Sequence, residues 1–500
     1  MNKRNTHLFL LVLILASAAL ALLRFDSLQI GASYDDAKYI ILAESLASGQ
    51  GYELINFPRP QIERNFPPGW PLLLAPFTLV FPKNYDALKI VSLALWLLSI
   101  SLVYKLFSKR LSSPYLEILT AWVALNPLLI GTSVTLMSES AYLFFSLLAL
   151  LTFDKTGEKK FDGLILAAVL AFYTQQVRAI GISLTVSLLI ILFLSKRFKE
   201  MGVVVFLFIV GFALQSGFNL RNGGTVISSG YEAQVLGGSA LEKVGQVWSN
   251  LIGYTDRVLT GSLIPIFGTR LDEIFDGGFI IVNMLILAVL VTGFFAAKRK
   301  LEWMHLYFVI YIAGILAFWN PQVGSVKARF LIPILPFLYF YFLVGAAWLS
   351  EKLFEKKPGS AARSVLGLAI VIGLILMARN LLDWRNPIRE QITDLSIGAS
   401  WVAENSPINS IVMVNEPVPA YVHVERKTIN FPKNDQDLQA YLDNQGIDYI
   451  IISPPLQSPR NNDLDKDVQN ILFEILGSPE SFALVFEDDA NNVRVFEVAP

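Results

Sequence analysis

Two adjacent carboxylates, Asp35 and Asp36, open a helical pattern that stops at Gly49. A carboxylate held beside an incoming hydroxyl group can act as a general base. The same pair can also serve the fold alone, because acidic side chains in a first helical turn cap the helix and favour its dipole. Ser33 and Asp36 have the spacing of a capping box. The residues by themselves leave the catalytic and the structural interpretations open.

Basic residues complement these carboxylates near the ends of apolar stretches. The candidates are Lys38, Arg64, Arg178 and Arg329. Such side chains can bind a phosphate group, arginine with a bidentate geometry, or they can be anchors whose charged ends reach water. Glu139 stands at the start of another apolar stretch. It is a candidate for contact with an acceptor or a metal, or for stabilising a helix N-terminus.

Composition assigns these residues to a membrane protein. Of 500 residues, 54% are hydrophobic and 16% are charged, whereas soluble domains carry about 25% charged residues. A net charge of -1 gives no reason to expect a nucleic acid partner. The absence of cysteine excludes disulfides and thiolate metal sites. No cofactor is expected, and a divalent metal site has no supporting motif.

Eleven apolar stretches have lengths near the roughly 20 residues that a helix needs to cross a bilayer. They lie at 8–23, 87–104, 115–131, 138–153, 161–177, 179–195, 201–218, 278–297, 303–319, 328–349 and 364–381. They predict an all-α polytopic membrane domain over residues 1–382, with about eleven transmembrane helices. The first stretch also has the basic start and small residues of a signal peptide, which is the alternative interpretation of that segment.

Basic residues cluster in alternate connections, as the positive-inside rule requires. The clusters are Lys3–Arg4, Lys105–Arg110, Lys155–Lys160, Lys196–Lys199, Lys298–Lys300 and Lys352–Lys357. The N-terminus is then cytoplasmic, and the polar regions 24–86, 219–277 and 383–500 are external. The proline-rich stretch 68–82 is predicted to lie on or dip into the outer membrane surface, because counting it as a span would reverse the next connection.

Residues 383–500 are predicted to form a small extracytoplasmic α/β domain. Strand patterns at 410–414, 448–453, 482–487 and 493–498 alternate with helical patterns near 391–404 and 435–444. Asp488 to Asn492 has the composition of a hairpin turn. The region has no glycine-rich phosphate loop and no nucleotide-binding fingerprint.

The middles of the predicted spans are almost free of ionisable residues, with His305 near a cytoplasmic end as the main exception. Ion-coupled transport needs titratable groups within the membrane, so this class of protein is disfavoured. The ionisable residues concentrate at the outer ends of helices, which favours a site at the outer membrane–water boundary. Two other classes stay open: a carrier or flippase for lipid-linked glycans, and a scaffold for envelope assembly.

The first external region resembles the first external loop of the GT-C glycosyltransferases, in particular the dolichyl-phosphate-mannose protein O-mannosyltransferases and the lipid A aminoarabinose transferases. The resemblance is carried by Tyr34-Asp-Asp-Ala-Lys-Tyr39, Ala43-Glu-Ser-Leu-Ala-Ser-Gly-Gln-Gly-Tyr52 and Asn65-Phe-Pro-Pro-Gly-Trp-Pro-Leu-Leu72. Weaker similarities follow at Met137-Ser-Glu-Ser140, Gln176-Val-Arg178 and Arg329-Phe-Leu-Ile-Pro-Ile-Leu-Pro336. The resemblance covers about residues 5–350.

The resemblance implies an inverting enzyme that moves a sugar from a polyprenyl-phosphate carrier to a hydroxyl of a protein, lipid or glycan. The family's first acidic residue is the catalytic base and maps onto Asp35; its second is a glutamate, here Asp36, which leaves open which carboxylate acts. The residues that would hold the departing phosphate are Arg178, Arg329, Lys38 and Arg64. Some of these transferases carry a lysine before Pro-Pro, where this chain has Phe66, and Arg64 is the nearest cation.

Reporter fusions test the predicted topology. Fusions after residues 110, 160, 199, 300 and 357 should report the cytoplasm, because each position follows a basic cluster. Fusions at residues 50, 240 and 450 should report the outer side. If the fusions at 50 and 110 report the same side, the stretch 68–82 crosses the membrane and the predicted count of eleven spans fails.

Overall fold

The computed structural model describes most of the chain as helices followed by a mixed sheet region. The residues described are 3–26, 29–156, 161–221, 239–265, 278–297, 301–318, 326–355, 357–385, 393–432, 437–454, 464 and 466–499. Up to Arg385 the described regular structure is helical apart from one short hairpin, and strands alternate with helices from Thr393 onward. This is the change of structural class that the sequence predicts.

Ten helices are described within the first 221 residues. They are α1 Lys3–Leu22, α2 Asp35–Ala47, α3 Gly69–Val80, α4 Tyr85–Phe107, α5 Tyr115–Ala124, α6 Pro127–Ser133, α7 Glu139–Thr156, α8 Phe161–Val177, α9 Ile182–Leu194 and α10 Phe198–Arg221. Between α2 and α3, β1 Glu53–Leu54 pairs antiparallel with β2 Gln61–Ile62. A 3-10 turn at Ala179–Gly181 joins α8 to α9.

Six further helices are described between residues 239 and 385. They are α11 Ala240–Gly253, α12 Leu259–Leu263, α13 Gly278–Ala297, α14 Trp303–Ala317, α15 Leu335–Leu353 and α16 Pro358–Arg385. A π-helical turn at Tyr254–Val258 connects α11 to α12, and a 3-10 segment at Ala328–Ile334 leads directly into α15. That 3-10 segment carries Arg329, so its position decides where this arginine lies.

All eleven predicted apolar stretches overlap helices. Among the described residues, six helices are long and apolar enough to cross a membrane: α1, α4, α10, α13, α16, and α15 together with its 3-10 segment. The pair α5 and α6, bent by 48°, is a seventh candidate, while α3, α8, α9 and α14 are apolar but shorter. The chain is therefore a polytopic helical membrane protein, and the count of eleven spans stays a prediction.

Helix α15 lies at the centre of the helical part and is buried along almost all of its length, whereas α10 is largely exposed. Gly293 on α13 and Gly345 on α15 allow these two helices to meet backbone to backbone. A Cβ at Gly293 would lie 1.7 Å from the carbonyl oxygen of Tyr341. Small residues commonly permit such close helix contacts in membrane proteins.

The C-terminal part forms a five-stranded sheet with helices on both faces. Its elements are α17 Thr393–Asn405, β3 Ile411–Val414, α18 Pro417–Val424, β4 Lys427–Ile429, α19 Leu438–Gln445, β5 Tyr449–Ile452, α20 Lys466–Gly477, β6 Phe482–Asp488 and β7 Val493–Val498. The strand order is β4-β3-β5-β7-β6, with β3 parallel to both β4 and β5. Strand β7 runs antiparallel to both β5 and β6.

Successive side chains of a strand point to opposite faces of the sheet, which explains why the sheet has an apolar core on each face. Val412 and Val414 face α17 and α18, whereas Met413 faces α19 and α20. The predicted strands, both predicted helices and the hairpin turn after Asp488 are confirmed; the Asp488 carboxylate accepts the backbone N–H of Ala490 at 3.0 Å. Sequence patterns missed β4, α18 and α20, and α18 matters because it contacts the first loop.

Helix α2 differs from its prediction. Its periodicity predicts an amphipathic helix on the membrane surface, but its buried residues lie on more than one side: Asp36, Ala37, Tyr39, Ile40, Ile41, Leu42, Ala43 and Ser45. Helix α3 packs against α2, and α18 packs against it as well. The prediction of a one-sided amphipathic helix is therefore wrong, because the periodicity of α2 alone cannot reveal a cover supplied by α18, whose Tyr421 lies 377 residues after Glu44 of α2. The position of α2 at the outer membrane surface stays a prediction.

Candidate active site

A tight turn presents Asp35 and Asp36 at the first turn of α2. Its backbone is left-handed at Gly31 (φ 93°) and at Tyr34 (φ 58°). The N–H of Tyr34 donates to the carbonyl of Gly31 at 2.9 Å. Tyr34 occupies the N-cap position and makes no side-chain cap hydrogen bond. The capping box predicted from Ser33 and Asp36 is therefore wrong, since the Asp36 carboxylate has a different partner.

Asp36 is buried beneath this turn and is 2% exposed. Its Oδ2 accepts the backbone N–H of Gly31 at 2.9 Å, and its Oδ1 has no hydrogen-bond partner among the described residues. Burial raises the pKa of Asp36 to about 6, although the backbone N–H groups of Gly31 and Ala37 oppose the rise. Asp36 thus ties α2 to the turn from inside and does not face the surface.

Asp35 is the outward member of the pair. Its Oδ2 lies 3.1 Å from Nη1 of Arg329, and the two side chains are 26% and 31% exposed. Arg329 comes from the 3-10 segment before α15, 294 residues further along the chain. The structure therefore brings one predicted carboxylate and one predicted phosphate ligand together at an accessible edge.

A second ion pair lies further inside. Nη1 of Arg178 is 2.5 Å from Oε1 of Glu139 and 3.2 Å from Oγ of Ser138. Glu139 opens α7 and is fully buried, and its Oε2 has no hydrogen-bond partner among the described residues. Ser138 also shares a 3.2 Å hydrogen bond with the hydroxyl of Tyr39. A buried charge requires such compensation.

Phe330 joins the two ion pairs. The guanidinium carbons of Arg178 and Arg329 lie 6.0 and 5.4 Å from its ring centroid, on the scale of cation–π contacts. Tyr39 follows Asp35 by one helical turn and so lies on the same face of α2. The cluster thus runs from an accessible pair, Asp35–Arg329, to a deeper pair in which Glu139 is buried and Arg178 is 17% exposed. Two carboxylates balance two arginines.

Lys38 and Arg64 lie outside this cluster. Nζ of Lys38 is 2.6 Å from Oε2 of Glu63 and 4.3 Å from the ring centroid of Phe66. The other oxygen of Glu63 accepts the backbone N–H of Asn65 at 2.6 Å. Lys38 therefore fixes the loop before α3 through a buried carboxylate. Arg64 is exposed in the same loop.

Helix α3 supports the inner pair through its first residue. The hydroxyl of Tyr173 on α8 donates to the carbonyl of Gly69 at 2.9 Å. A Cβ at Gly69 would lie 2.5 Å from the carbonyl carbon of Gln176, so only glycine permits this approach. Arg178 follows directly after α8. The loop motif Pro-Pro-Gly-Trp thus helps to position an arginine that is far away in sequence.

Sequence reasoning missed Ser138 and Phe330 as members of the site. Each lies within one of the weaker similarities to the GT-C family and next to a predicted residue, Glu139 and Arg329 respectively. Within the part of the chain that the structure describes, no three His, Asp or Glu side chains converge as metal ligands.

Solved structures show which fold positions this cluster. The chain matches ArnT from Cupriavidus metallidurans bound to undecaprenyl phosphate, with a TM-score of 0.59, 10% identity and 100% coverage of both chains. It matches the oligosaccharyltransferase AglB from Archaeoglobus fulgidus, in complex with an inhibitory peptide and a dolichol-phosphate, with a TM-score of 0.54 and 13% identity. That match covers 88% of this chain and 69% of AglB.

A third match is the arabinofuranosyltransferase AftD from mycobacteria, with a TM-score of 0.52, 14% identity and coverage of 98% of this chain and 40% of AftD. These structural neighbours are GT-C glycosyltransferases, so the chain has the fold that its first loop predicts. Sequence identities this low establish the fold alone. No protein-family model and no curated protein matches the sequence.

Asp36 generates a prediction for stability. Because burial raises its pKa to about 6 in the folded protein, the folded state binds more protons than the unfolded state between about pH 4 and pH 6. The free energy of unfolding should therefore fall as the pH rises through this window, by at most about 3 kcal/mol. Asp36→Asn should abolish that dependence in thermal unfolding of the purified protein, measured from pH 4 to pH 8.

The exposed Asp443→Asn variant is the matched control, since its carboxylate lies on the surface of α19. It should keep the pH dependence of the wild type. An Asp36→Asn variant whose unfolding midpoint follows the same pH curve as the wild type would contradict the assignment of a buried, titrating carboxyl group.

Proposed function

We propose that this chain is a glycosyltransferase that moves a sugar from a polyprenyl-phosphate carrier to an acceptor hydroxyl at the outer face of a membrane. The observation that carries the proposal is the accessible Asp35–Arg329 pair at the start of α2, 3.1 Å apart, within a GT-C fold. Undecaprenyl phosphate and dolichol-phosphate in two neighbouring structures support the class of donor. A protein, lipid or glycan would supply the acceptor hydroxyl.

The proposal includes a topology. Eleven helices would cross the cell membrane within residues 1–382, with the N-terminus in the cytoplasm. Residues 383–500 would form the extracytoplasmic domain, and the loops 24–86 and 219–277 would lie on the same side. Asp35 and Arg329 would then lie at the outer boundary, where a carrier lipid keeps its phosphate group. Donor and acceptor would meet there without either entering the hydrocarbon core.

Asp35 is the base in this reaction. It takes the proton of the acceptor hydroxyl while that oxygen forms a bond to the anomeric carbon. The bond between the anomeric carbon and the phosphate oxygen breaks, and the polyprenyl phosphate leaves as an anion. Attack opposite the leaving group inverts the anomeric configuration. Asp36 has the supporting role, because it is buried and already accepts the N–H of Gly31.

Arg329 has two competing partners in this mechanism. Without donor it pairs with Asp35, the carboxylate that must accept a proton. Arginine binds phosphate through a bidentate pair of charge-assisted hydrogen bonds, so the carrier phosphate competes with a single carboxylate contact. When the phosphate takes Arg329, Asp35 becomes free for the acceptor. The donor would thus prepare the base, which favours donor binding before acceptor binding.

Arg178 supplies the inner contact to the phosphate in this proposal. Glu139 holds Arg178 in place, which explains a buried carboxylate at this depth without a metal or an acceptor. Lys38 would have to leave Glu63 to reach a phosphate, so it ranks behind the two arginines. Arg64 is an outer candidate because it is exposed in the same loop. The first contact is therefore assigned to Arg329.

Asp35→Asn tests the base. Asparagine keeps the size of the side chain and an oxygen that can accept the hydrogen bond from Arg329, but it cannot accept the proton. Turnover should fall by about 10²–10⁴-fold while binding of the lipid donor persists. The donor is supplied as the lipid-linked sugar that accumulates in cells lacking the gene, and transfer is measured with the purified protein in nanodiscs. Asp36→Asn is the control for the second carboxylate, and full activity of Asp35→Asn would refute the mechanism.

Arg329→Ala tests the phosphate contact. Loss of a charge-assisted hydrogen bond of about 1.5–3 kcal/mol should raise the donor KM by about 10- to 100-fold. Arg329→Lys should restore this constant only in part, because lysine keeps the charge and loses the planar fork. Arg379→Ala is the matched control. It also removes an arginine from an ion pair, but its partner Asp383 lies in α16 and is not a candidate site residue. A donor KM in Arg329→Ala equal to that of the wild type would contradict the phosphate contact and leave Arg329 the role of a membrane anchor.

A further inference from the structure

Helix α18 fastens the C-terminal part to the first loop. Val418, Tyr421 and Val422 belong to the same buried apolar core as α2 and the membrane helices. Beside α18, the backbone N–H of Thr428 on β4 donates to the carbonyl of Asn56 at 2.7 Å. Apolar burial and a backbone hydrogen bond together hold the sheet region against the loop that carries Asp35.

His423 on α18 makes a polar contact with the loop that carries the candidate base. Its Nε2 lies 2.8 Å from the carbonyl oxygen of Ile30. A carbonyl oxygen can only accept, so Nε2 carries the proton and donates it. Burial lowers the pKa of His423, while the Ile30 carbonyl and the charge of Asp86 oppose the change. The neutral ring with its proton on Nε2 is therefore the form present at neutral pH.

The carbonyl of Ile30 and the N–H of Gly31 belong to a single peptide group. That N–H donates to Oδ2 of Asp36 at 2.9 Å. One peptide group therefore connects the C-terminal part, through His423, to the first turn of α2. Hydrogen bonds in such a series polarise and strengthen one another. The peptide cannot rotate without breaking both bonds, and its rotation would move the turn that presents Asp35.

We infer that His423 is a positioning residue for the transfer reaction, acting on Asp35 and Asp36 through the Ile30–Gly31 peptide. The inference rests on the proposed function and adds a role for the C-terminal part. The charged groups with electrostatic effects on the two ends are Asp86 near His423 and Asp35 near Asp36. Neither replaces the imidazole donor, because both are carboxylates. The contact joins residues 393 positions apart, so folding of the C-terminal part is required for the geometry of the site.

The test compares His423→Ala, His423→Gln and Tyr421→Phe. Alanine removes the donor, whereas the glutamine amide nitrogen can take the place of Nε2. Tyr421→Phe is the matched control on the same helix, since it removes a 3.3 Å hydrogen bond to Glu44 that does not involve the turn. His423→Ala should lower kcat about threefold to tenfold at unchanged donor KM, His423→Gln should recover most of it, and Tyr421→Phe should resemble the wild type.

Infrared titration of the Asp36 carboxyl, assigned by its loss in Asp36→Asn, gives a readout that needs no substrate. In His423→Ala the titration midpoint should rise by about half a unit to one unit, because the ionised carboxylate loses support from its donor peptide. In His423→Gln the titration midpoint of Asp36 should return to the wild-type value, and in Tyr421→Phe it should not change. Thermal unfolding of each variant confirms that the comparison is made on folded protein.

Two results overturn the inference: a midpoint in His423→Ala equal to that of the wild type, or glutamine and alanine variants that behave alike in both assays. Failure of the proposed function is a different result. In that case the wild type transfers no sugar from any polyprenyl-phosphate donor, and the infrared titration still decides whether His423 acts on Asp36.

Discussion

A charged side chain is costly inside a bilayer, and that cost decides where this chain keeps its ionisable groups. Several of the described ion pairs lie at helix ends and join segments that are distant in sequence. They include Asp35–Arg329, Glu139–Arg178, Arg24–Asp383 and, at the predicted cytoplasmic side, Arg110–Glu302. Helices that contact one another only through apolar side chains can slide along each other. An ion pair between the ends of two helices fixes the position of one helix relative to the other. The same constraint that orders the helices therefore places carboxylates opposite arginines at helix ends, and the candidate site is one such place.

The two ion pairs of the candidate site, Glu139–Arg178 and Asp35–Arg329, differ in burial and are therefore suited to different roles. Glu139 is fully buried, and breaking its pair with Arg178 would leave an uncompensated buried charge, so the pair is costly to break. Asp35 and Arg329 are 26% and 31% exposed, where an ion pair adds about 0–1 kcal/mol and exchanges readily for a better partner. A phosphate is such a partner for arginine. The accessible Asp35–Arg329 pair is suited to a carboxylate that reacts. The deeper Glu139–Arg178 pair is suited to holding an arginine in a fixed position.

Local sequence predicted the helices and the carboxylate pair, because both are carried by short patterns. The stop at Gly49 is confirmed, since α2 ends at Ala47, Ser48 is its C-cap and Gly49 has φ 73°. The pairing of Asp35 with Arg329 was not predictable from sequence spacing, because 294 residues separate them. Every arginine at the predicted outer end of a helix was an equally good candidate for this contact. Ser138 was missed for a related reason, since an isolated serine carries no periodic signal.

The failed prediction for α2 has a consequence for the site. A helix that lay on a membrane surface without other contacts could vary its orientation with the lipid, whereas α2 is packed against α3 and α18. Two covers from opposite ends of the chain fix the direction of Asp35, and the Ile30–Gly31 peptide transmits the second of them through Asp36. Preorganised geometry of this kind lowers the entropic cost of bringing a base to its substrate. The sheet region is therefore a structural part of the candidate site, although its residues follow the described helical part of the chain.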